Sequence, residues 1–255
     1  MIREHYEAIQ KKAATFWWYV ARRDLFTRLL AKHPAPSREL ALDVGCGPAS
    51  NALLYPALAS RVLSVDSEAS VFKEWPDRGG NGKVVGSALG LPVKDASADA
   101  LLLLDVLEHL PEEGPALGEL FRVLRPGGLA LISVPALQSL WGWHDEQAHH
   151  YRRYRLSRIR SLVEGAGFEI LEAHYFNFLL APPIWAIRKV CRWSGASKNK
   201  IEMNLSPSAL NGLFSSLLIL ENRTIARGFH LPFGSSAVVL GRRPAGAAAS
   251  PAPRP

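Results

Sequence analysis

The chain contains very little cysteine. Two of its 255 residues are cysteines, Cys46 and Cys191, and they do not form a Cys-x-x-Cys pair. Two isolated cysteines cannot build the disulfide framework that stabilises small secreted domains, and they fit a reducing compartment. We therefore expect a fold held together by an apolar core.

Long apolar runs are missing as well. No stretch reaches the roughly 18 consecutive apolar residues that a membrane-spanning helix needs. The first residues, MIREHYEAIQKK, have no apolar centre of the kind found in secretory signals. These two absences predict a cytoplasmic protein, with peripheral contact to a membrane as a further expectation.

Acidic residues are outnumbered by basic ones, 23 against 30, which gives a formal net charge of +7. A basic surface suits nucleic acid, an anionic membrane or a phosphorylated substrate, and it is equally typical of an ordinary solvated surface. The sequence shows no unbroken Lys/Arg tract and no separate basic recognition module. We do not expect nucleic acid to be the partner.

Predicted strands and predicted helices alternate from residue 40 onward. Helices are predicted between the strands at 50–58, 111–124 and 157–166, and the strands are predicted at 40–44, 61–65, 83–85, 99–104, 129–134, 168–175 and 236–241. Continuous apolar runs such as 100–104 are typical of parallel strands buried on both faces. The alternation predicts an α/β fold with a Rossmann-like, doubly wound, mostly parallel seven-stranded sheet and a helical insertion before the last strand.

This pattern divides the chain into five parts. Helical periodicity over 4–32 predicts an N-terminal helical segment, 1–36, and the cofactor-binding core follows over 37–175. A helical insertion, 176–235, is interpreted as a substrate cover, and 236–242 is the last strand of the core. The tail, 243–255, is rich in Ala, Pro, Gly and Ser and is predicted to be disordered.

A glycine-bearing turn, Asp43-Val44-Gly45-Cys46-Gly47, follows the first strand and precedes a helix. Glycine lets the backbone turn tightly and approach a ligand, and the helix start offers free N–H groups. Asp66 ends the next strand about 20 residues later, where a carboxylate can accept the hydroxyls of a ribose. This arrangement suits either a dinucleotide or S-adenosylmethionine.

Two features of the turn favour S-adenosylmethionine. The third position of a dinucleotide fingerprint is occupied by Ser50 rather than Gly or Ala. Asp43 would repel a pyrophosphate, but it suits a cationic amino group directly or through water.

Four motifs in this order resemble class I S-adenosylmethionine-dependent methyltransferases: 42–47, Asp66, 102–110 and 124–128. The resemblance covers about residues 38–175 and implies S-adenosylmethionine as the cofactor. In one departure, Ser87 stands where many relatives have an Asp that binds the adenine amino group; serine can accept that hydrogen bond but carries no charge. The cofactor-binding residues that the resemblance and the turn together predict are Asp43, Gly45, Cys46, Gly47, Asp66, Ser67, Ser87, Ala88, Leu89, Asp105 and Val106.

The segment after the fifth strand, 141–154, is rich in histidine, acids and aromatics and lies where a substrate enters this fold. The catalytic candidates are His144, paired with Asp145, or His150 as a proton acceptor, and Arg152 as a clamp for an anion. His144, Asp145, Glu146 and His149 could also form a metal site, but such clusters are more often loop scaffolding, and we expect no metal. Within the segment, 150–154 (H-Y-R-R-Y) resembles a signature of some bacterial members of the family, several of them in polyprenyl-linked or glycan pathways.

The predicted function is methyl transfer from S-adenosylmethionine to a small-molecule or lipid-linked acceptor, at oxygen. Two alternatives stay open: a nucleic-acid methyltransferase, suggested by the charge alone, and a cofactor-binding protein without transfer activity, suggested by Ser87. The aromatic and aliphatic residues of 176–232 indicate either a packed helical subdomain or a cover for a hydrophobic substrate that touches a membrane.

Overall fold

A computed structural model describes residues 13–48, 50–74, 81–194 and 210–246, and the strands in these ranges form one sheet. The strands are β1 (Leu40–Val44), β2 (Arg61–Asp66), β3 (Gly82–Val85), β4 (Ala98–Leu104), β5 (Leu124–Pro135), β6 (Glu169–Phe176) and β7 (Ser236–Arg242). Their order is β3-β2-β1-β4-β5-β7-β6, with β1 to β5 parallel and β7 antiparallel to both of its neighbours. The predicted seven-stranded, mostly parallel sheet is confirmed.

Helices cover both faces of the sheet. They are α1 (Trp17–Lys32), α2 (Tyr55–Leu58), α3 (Gly114–Val123), α4 (Trp143–Gln147), α5 (Leu156–Gly165), α6 (Ala181–Ser194) and α7 (Asn211–Ala226). One apolar cluster joins the sheet to α3 and α5 and includes Leu120 and Ile159, while a second joins it to α1 and α7 and includes Leu29 and Ile225. All seven residues of β4 are buried because this strand lies in the middle of both clusters.

The order of the strands positions the site. The chain builds outward from β1 to β2 and β3, then crosses back to place β4 on the other side of β1. In doubly wound sheets the crevice at such a reversal, at the carboxyl ends of the strands, is where ligands bind. The crevice between the ends of β1 and β4 therefore lies beside Gly45 and Asp105.

Two predicted helices are shorter than expected. The helix predicted over 50–58 is a 3-10 turn, Ala52–Leu54, followed by the single turn of α2. The helix predicted over 4–32 is interrupted at Ala14–Phe16, and its residues 4–12 lie outside the described part of the chain. Periodicity alone does not reveal the side-chain bonds at these places: Tyr55 donates to Asp43, and Asn211 accepts the Trp17 N–H.

The residues between the predicted helix 111–124 and the predicted strand 129–134 are part of β5. This strand already begins at Leu124, which pairs with Ala98. Gly127 has a φ of +82°, so the strand bends without ending, and its N–H donates to the Arg243 carbonyl at 2.7 Å. The sequence therefore locates the bend correctly and misplaces the start of the strand.

The predicted disordered tail, 243–255, begins one residue too early, because Arg243 packs into the fold. Its side chain is buried, and its guanidinium donates to the carbonyls of Phe121, Arg122 and Leu124 at 3.1, 3.2 and 2.7 Å. These carbonyls lie at the end of α3, where a helix leaves acceptors without partners. Arg243 is therefore part of the packed fold, because its side chain caps the end of α3.

The insertion between β6 and β7 is helical, as predicted, in its described parts. It contains α6 and α7, while residues 195–209 lie outside the described ranges. Among the helices that the structure describes, none combines the length and apolarity needed to cross a membrane.

Candidate functional site

The glycine loop connects β1 to the 3-10 turn at Ala52. Gly45 and Gly47 have φ values of +68° and +49°, in the left-handed region that favours glycine. A Cβ on Gly45 would also overlap the Val106 side chain, because the loop lies directly against the turn that follows β4. The N–H groups of Gly45 and Cys46 both donate to the Val65 carbonyl at 2.8 and 3.2 Å, which ties the loop to β2.

Asp66, at the end of β2, lies at the rim of this loop. One carboxylate oxygen accepts the Gly47 N–H and the other accepts the Glu68 N–H, both at 2.9 Å. The side chain is half-buried and Ser67 beside it is exposed. The acid that the sequence singled out for a ribose is therefore held against the glycine loop, with part of its surface open.

The turn after β3 lies next to Asp66, since the Gly86 N–H donates to the Asp66 carbonyl at 2.9 Å. Ser87 accepts the Leu89 N–H on its hydroxyl at 3.1 Å and the Gly90 N–H on its carbonyl at 3.1 Å. Its hydroxyl therefore shapes the turn and keeps its own proton to donate. Ala88 and Leu89 lie within this turn, and Leu89 is exposed.

Asp43 is placed differently from the sequence expectation. Its carboxylate is fully buried beneath the loop, where it accepts the Tyr55 hydroxyl at 2.8 Å and the Asn51 amide at 3.3 Å. Burial raises the pKa of Asp43 to about 6, and the bonds from Tyr55 and Asn51 limit the rise. Asp43 thus stabilises the loop from its buried side, and its carboxylate has no exposed surface for a ligand.

Cys46 is likewise a packing residue. Its side chain is buried in the cluster that joins the sheet to α1, and burial strongly raises the pKa of its thiol. A thiol that keeps its proton is a poor nucleophile, so Cys46 contributes volume and backbone to the loop.

Arg22 on α1 is a site residue that sequence reasoning missed. Its guanidinium donates to Asp105 at 2.6 Å and to Asn51 at 2.7 Å, and it lies over the Trp18 ring at 4.3 Å. Asp105, which has a φ of +57°, also accepts the Ser133 hydroxyl at 3.2 Å. Arg22 therefore joins α1 to both edges of the crevice, a contact that no local sequence signal reveals.

In the segment after β5, Asp145 and His150 form a buried pair. The two side chains are 2.9 Å apart, and Asp145 also accepts Arg153 Nε at 2.8 Å and the Gly142 N–H at 2.8 Å. Burial alone would raise the pKa of Asp145, but the bonds from His150 and Arg153 outweigh it and hold the pKa far below its usual range. The ionised acid places the His150 proton on Nδ1, which leaves the lone pair of Nε2 available.

The other two catalytic candidates are placed differently. The sequence paired His144 with Asp145; the structure shows a bond from His150 to this acid, and the His144 ring lies edge to face with His150, with centroids 5.9 Å apart. Although part of His144 reaches solvent, desolvation by the surrounding chain lowers its pKa to about 4. Arg152 points to the start of α3, where it pairs with Glu113 at 2.7 Å and donates to the Pro111 carbonyl at 2.6 Å.

The loop that carries His150 docks on the turn after β4. The Tyr151 N–H donates to the Glu108 carbonyl at 2.7 Å, and the rings of His109 and His150 meet edge to face with centroids 4.6 Å apart. Glu108 and His109 belong to the motif 102–110 that the sequence singled out. The structure brings Glu108 and His109 together with His150. Glu108 is two residues after Val106, which contacts the glycine loop.

Comparison with known proteins agrees with this geometry. Residues 42–132, which run from β1 into β5, match the family model of the methyltransferase domain. The match contains the glycine loop, Asp66 and the turn after β4.

Relatives and solved structures extend the likeness beyond the methyltransferase domain. A protein of Mycolicibacterium smegmatis, named a probable S-adenosylmethionine-dependent methyltransferase, is 31% identical over 157 residues, 60% of each chain. The present chain thus spans about three fifths of that relative's length.

Two solved structures share the fold. Phosphoethanolamine N-methyltransferase 2 of Haemonchus contortus, in complex with S-adenosyl-L-methionine, has a TM-score of 0.55 at 19% identity, over 86% of this chain and 52% of that one. The [4+2]-cyclase SpnF has a TM-score of 0.56 at 20% identity, over 88% and 81%. The predicted resemblance to class I methyltransferases is confirmed at the level of domain and fold.

Proposed function

We propose that this chain binds S-adenosylmethionine in the crevice between β1 and β4 and transfers its methyl group to an acceptor held beside His150. The convergence of Gly45, Gly47 and Asp66 at the reversal of strand order is the observation that carries this proposal. The open part of Asp66 accepts the ribose hydroxyls through charge-assisted hydrogen bonds, each worth about 1.5–3 kcal/mol. The name of the Mycolicibacterium relative supports the same cofactor.

The acceptor atom in this proposal is oxygen. His150 offers Nε2 to a proton or a cation, because Asp145 already binds Nδ1. A hydroxyl placed against this nitrogen gains nucleophilic character as it attacks the methyl carbon. Alignment of oxygen, methyl and sulfur contributes as well, on the scale of about 7–11 kcal/mol.

The acceptor class that we favour is a small or lipid-linked molecule. The described surface of α6 and α7 exposes several large apolar side chains, with Trp185 45%, Val190 61%, Leu213 53% and Leu220 58% exposed. Lys189 lies 5.8 Å from the centre of the Trp185 ring, which puts a cation beside this apolar surface. An apolar surface with a flanking cation suits a lipid carrier or an anionic headgroup.

Arg188, also on α6, does not belong to this exposed surface. It donates to the Leu140 carbonyl and lies 4.0 Å from Asp145. Arg188 therefore holds α6 against the acceptor-side loop and is not available to a lipid phosphate.

The test is methyl transfer from labelled S-adenosylmethionine to extracts of the source cells, read as products that gain one methylene by mass. We expect His150→Gln to lower transfer about 10²-fold or more while the affinity for S-adenosylhomocysteine stays within about threefold. His149→Asn, a neighbour with a φ of +54° that asparagine tolerates, is the matched control and should transfer normally. Equal transfer by His150→Gln and wild type would remove His150 from the reaction.

The alternative, a cofactor-binding protein without transfer activity, predicts a different result in this experiment. The fold also carries a protein named a [4+2]-cyclase, so the fold alone does not dictate methyl transfer. Tight binding of S-adenosylhomocysteine with no methylated product from any extract would favour a cofactor-binding protein over a methyltransferase.

A further inference from the structure

Glu108 is a buried carboxylate without a partner. Its residue is 1% exposed, and neither side-chain oxygen has a hydrogen bond in the structure. Taking a carboxylate out of water costs several kcal/mol unless a proton or a positive charge compensates it.

Two imidazoles converge on the same point. Glu108, His109 and His150 each offer a ligand atom, and these atoms all lie within 4.8 Å of one another. In the described ranges of the chain this is the one group of three or more such residues that meets that spacing. The metal site considered from the sequence, with His144, Asp145, Glu146 and His149, does not form.

One of the two imidazoles, His150, is oriented as metal-binding histidines usually are. Its Nδ1 lies 2.9 Å from a carboxylate oxygen of Asp145. A histidine ligand commonly donates its second ring N–H to a carboxylate or backbone carbonyl, which fixes the tautomer and leaves the other nitrogen to the metal. Asp145 is a neighbour of this kind.

We propose that Glu108, His109 and His150 bind a divalent transition-metal cation. One carboxylate and two imidazoles suit Zn²⁺, Mn²⁺, Fe²⁺ or Co²⁺, and three protein ligands leave coordination positions open. The exposed side of His109 gives a ligand from solution access to these positions. The cation then gives the two oxygens of Glu108 the partner that no hydrogen-bond donor in the described chain provides.

The role of the cation rests on the proposed function. The contact between Val106 and Gly45 places the cluster next to the predicted methyl donor. With the cation bound, Nε2 of His150 would hold the metal instead of receiving the acceptor's proton. An acceptor hydroxyl that coordinated the cation would become more acidic and would release its proton to solvent. Its oxygen forms a bond to the methyl carbon as the carbon–sulfur bond breaks, and the electron pair stays on the sulfur of S-adenosylhomocysteine.

Titration of the full chain with Co²⁺, after removal of bound metal by a chelator, tests the proposal, because the visible spectrum of Co²⁺ reports its coordination. We expect saturable binding of one equivalent that Zn²⁺ displaces, and a melting temperature that rises with metal. Glu108→Gln and His109→Asn should each weaken binding at least about tenfold, on the scale of disturbed metal sites. His149→Asn should bind as the wild type does.

The outcomes separate cleanly. Absence of saturable Co²⁺ binding to the wild type, or equal affinity in wild type, Glu108→Gln and His109→Asn, overturns the proposal. Glu108→Gln should not unfold the metal-free protein, because it removes an uncompensated buried charge, and His109→Asn gives an independent reading. Binding of S-adenosylhomocysteine to the metal-free protein, measured in parallel, shows whether the proposed function fails or survives separately.

Discussion

Individual residues near the crevice differ in how well the sequence predicted them. Gly45, Gly47 and Asp66 were predicted because their requirements are local: a left-handed backbone and a position at the end of a strand. Arg22 was not, because its partner Asp105 lies 83 residues away and pairs with it only when α1 folds over the crevice. The same reason hid the meeting of His109 with His150, which are 41 positions apart in the sequence.

The pKa of Asp43 gives a prediction at this scale. Its folded-state pKa of about 6 lies above the ordinary value of 3.8, so the native state holds this proton more tightly than the unfolded chain does. Stability from this group is therefore present at low pH and is lost as the pH rises from 3.8 to about 6. Relative to Asp43→Asn, the wild type should lose up to about 3 kcal/mol of unfolding free energy across this window.

Urea unfolding of both proteins at several pH values measures this difference. The comparison cancels titrations that the two proteins share, and the slope of their difference with pH isolates Asp43. Parallel stability curves, or a difference that grows in favour of the wild type as pH rises, would contradict the burial assigned to this carboxylate.

Elements were predicted better than the contacts between them. The helical character of the insertion was predicted, but its partner was not: α7 packs against α1 through a cluster that includes Trp17 and Leu218. Asn211 also caps the start of α1. Its side chain accepts the Trp17 N–H at 2.7 Å and donates to the Thr15 carbonyl at 2.6 Å. The residue at the N-cap position, Phe16, has no side-chain group for that purpose.

Asn211→Ala should therefore destabilise α1 from a distant point in the sequence. The expected cost is about 0.5–2 kcal/mol, the range for loss of an N-cap, with faster hydrogen exchange in the first turn of α1. Ser215→Ala is the control, because its hydroxyl bonds only to the Asn211 carbonyl within its own helix. Equal exchange in the two variants would show that α1 does not depend on Asn211.

For the molecule as a whole, surface chemistry decides whether it meets a membrane. The net charge of +7 and the exposed leucines of α7 favour binding to anionic vesicles at low salt. Leu217→Ser with Leu220→Ser should reduce flotation with such vesicles at least about tenfold, since full burial of one leucine is worth about 1.5–3 kcal/mol. Val85→Ser, which removes an exposed apolar side chain from β3 across the sheet, should float as the wild type does.

Failure of the wild type to float would rule out the membrane contact. Equal flotation of the leucine double variant and the wild type would move that contact away from α7. The acceptor site proposed beside His150 does not depend on either result.

The central claim is that the crevice at the ends of β1, β2 and β4 is the S-adenosylmethionine site, and calorimetric titration with S-adenosylhomocysteine tests it most directly. Wild type and Glu68→Ala, which keeps the backbone N–H that Asp66 accepts, should bind with equal affinity. Asp66→Ala should remain folded and bind at least about tenfold more weakly, because one charge-assisted bond to the ribose is worth about 1.5–3 kcal/mol. Undiminished affinity in Asp66→Ala, or no binding by the wild type, would contradict the account.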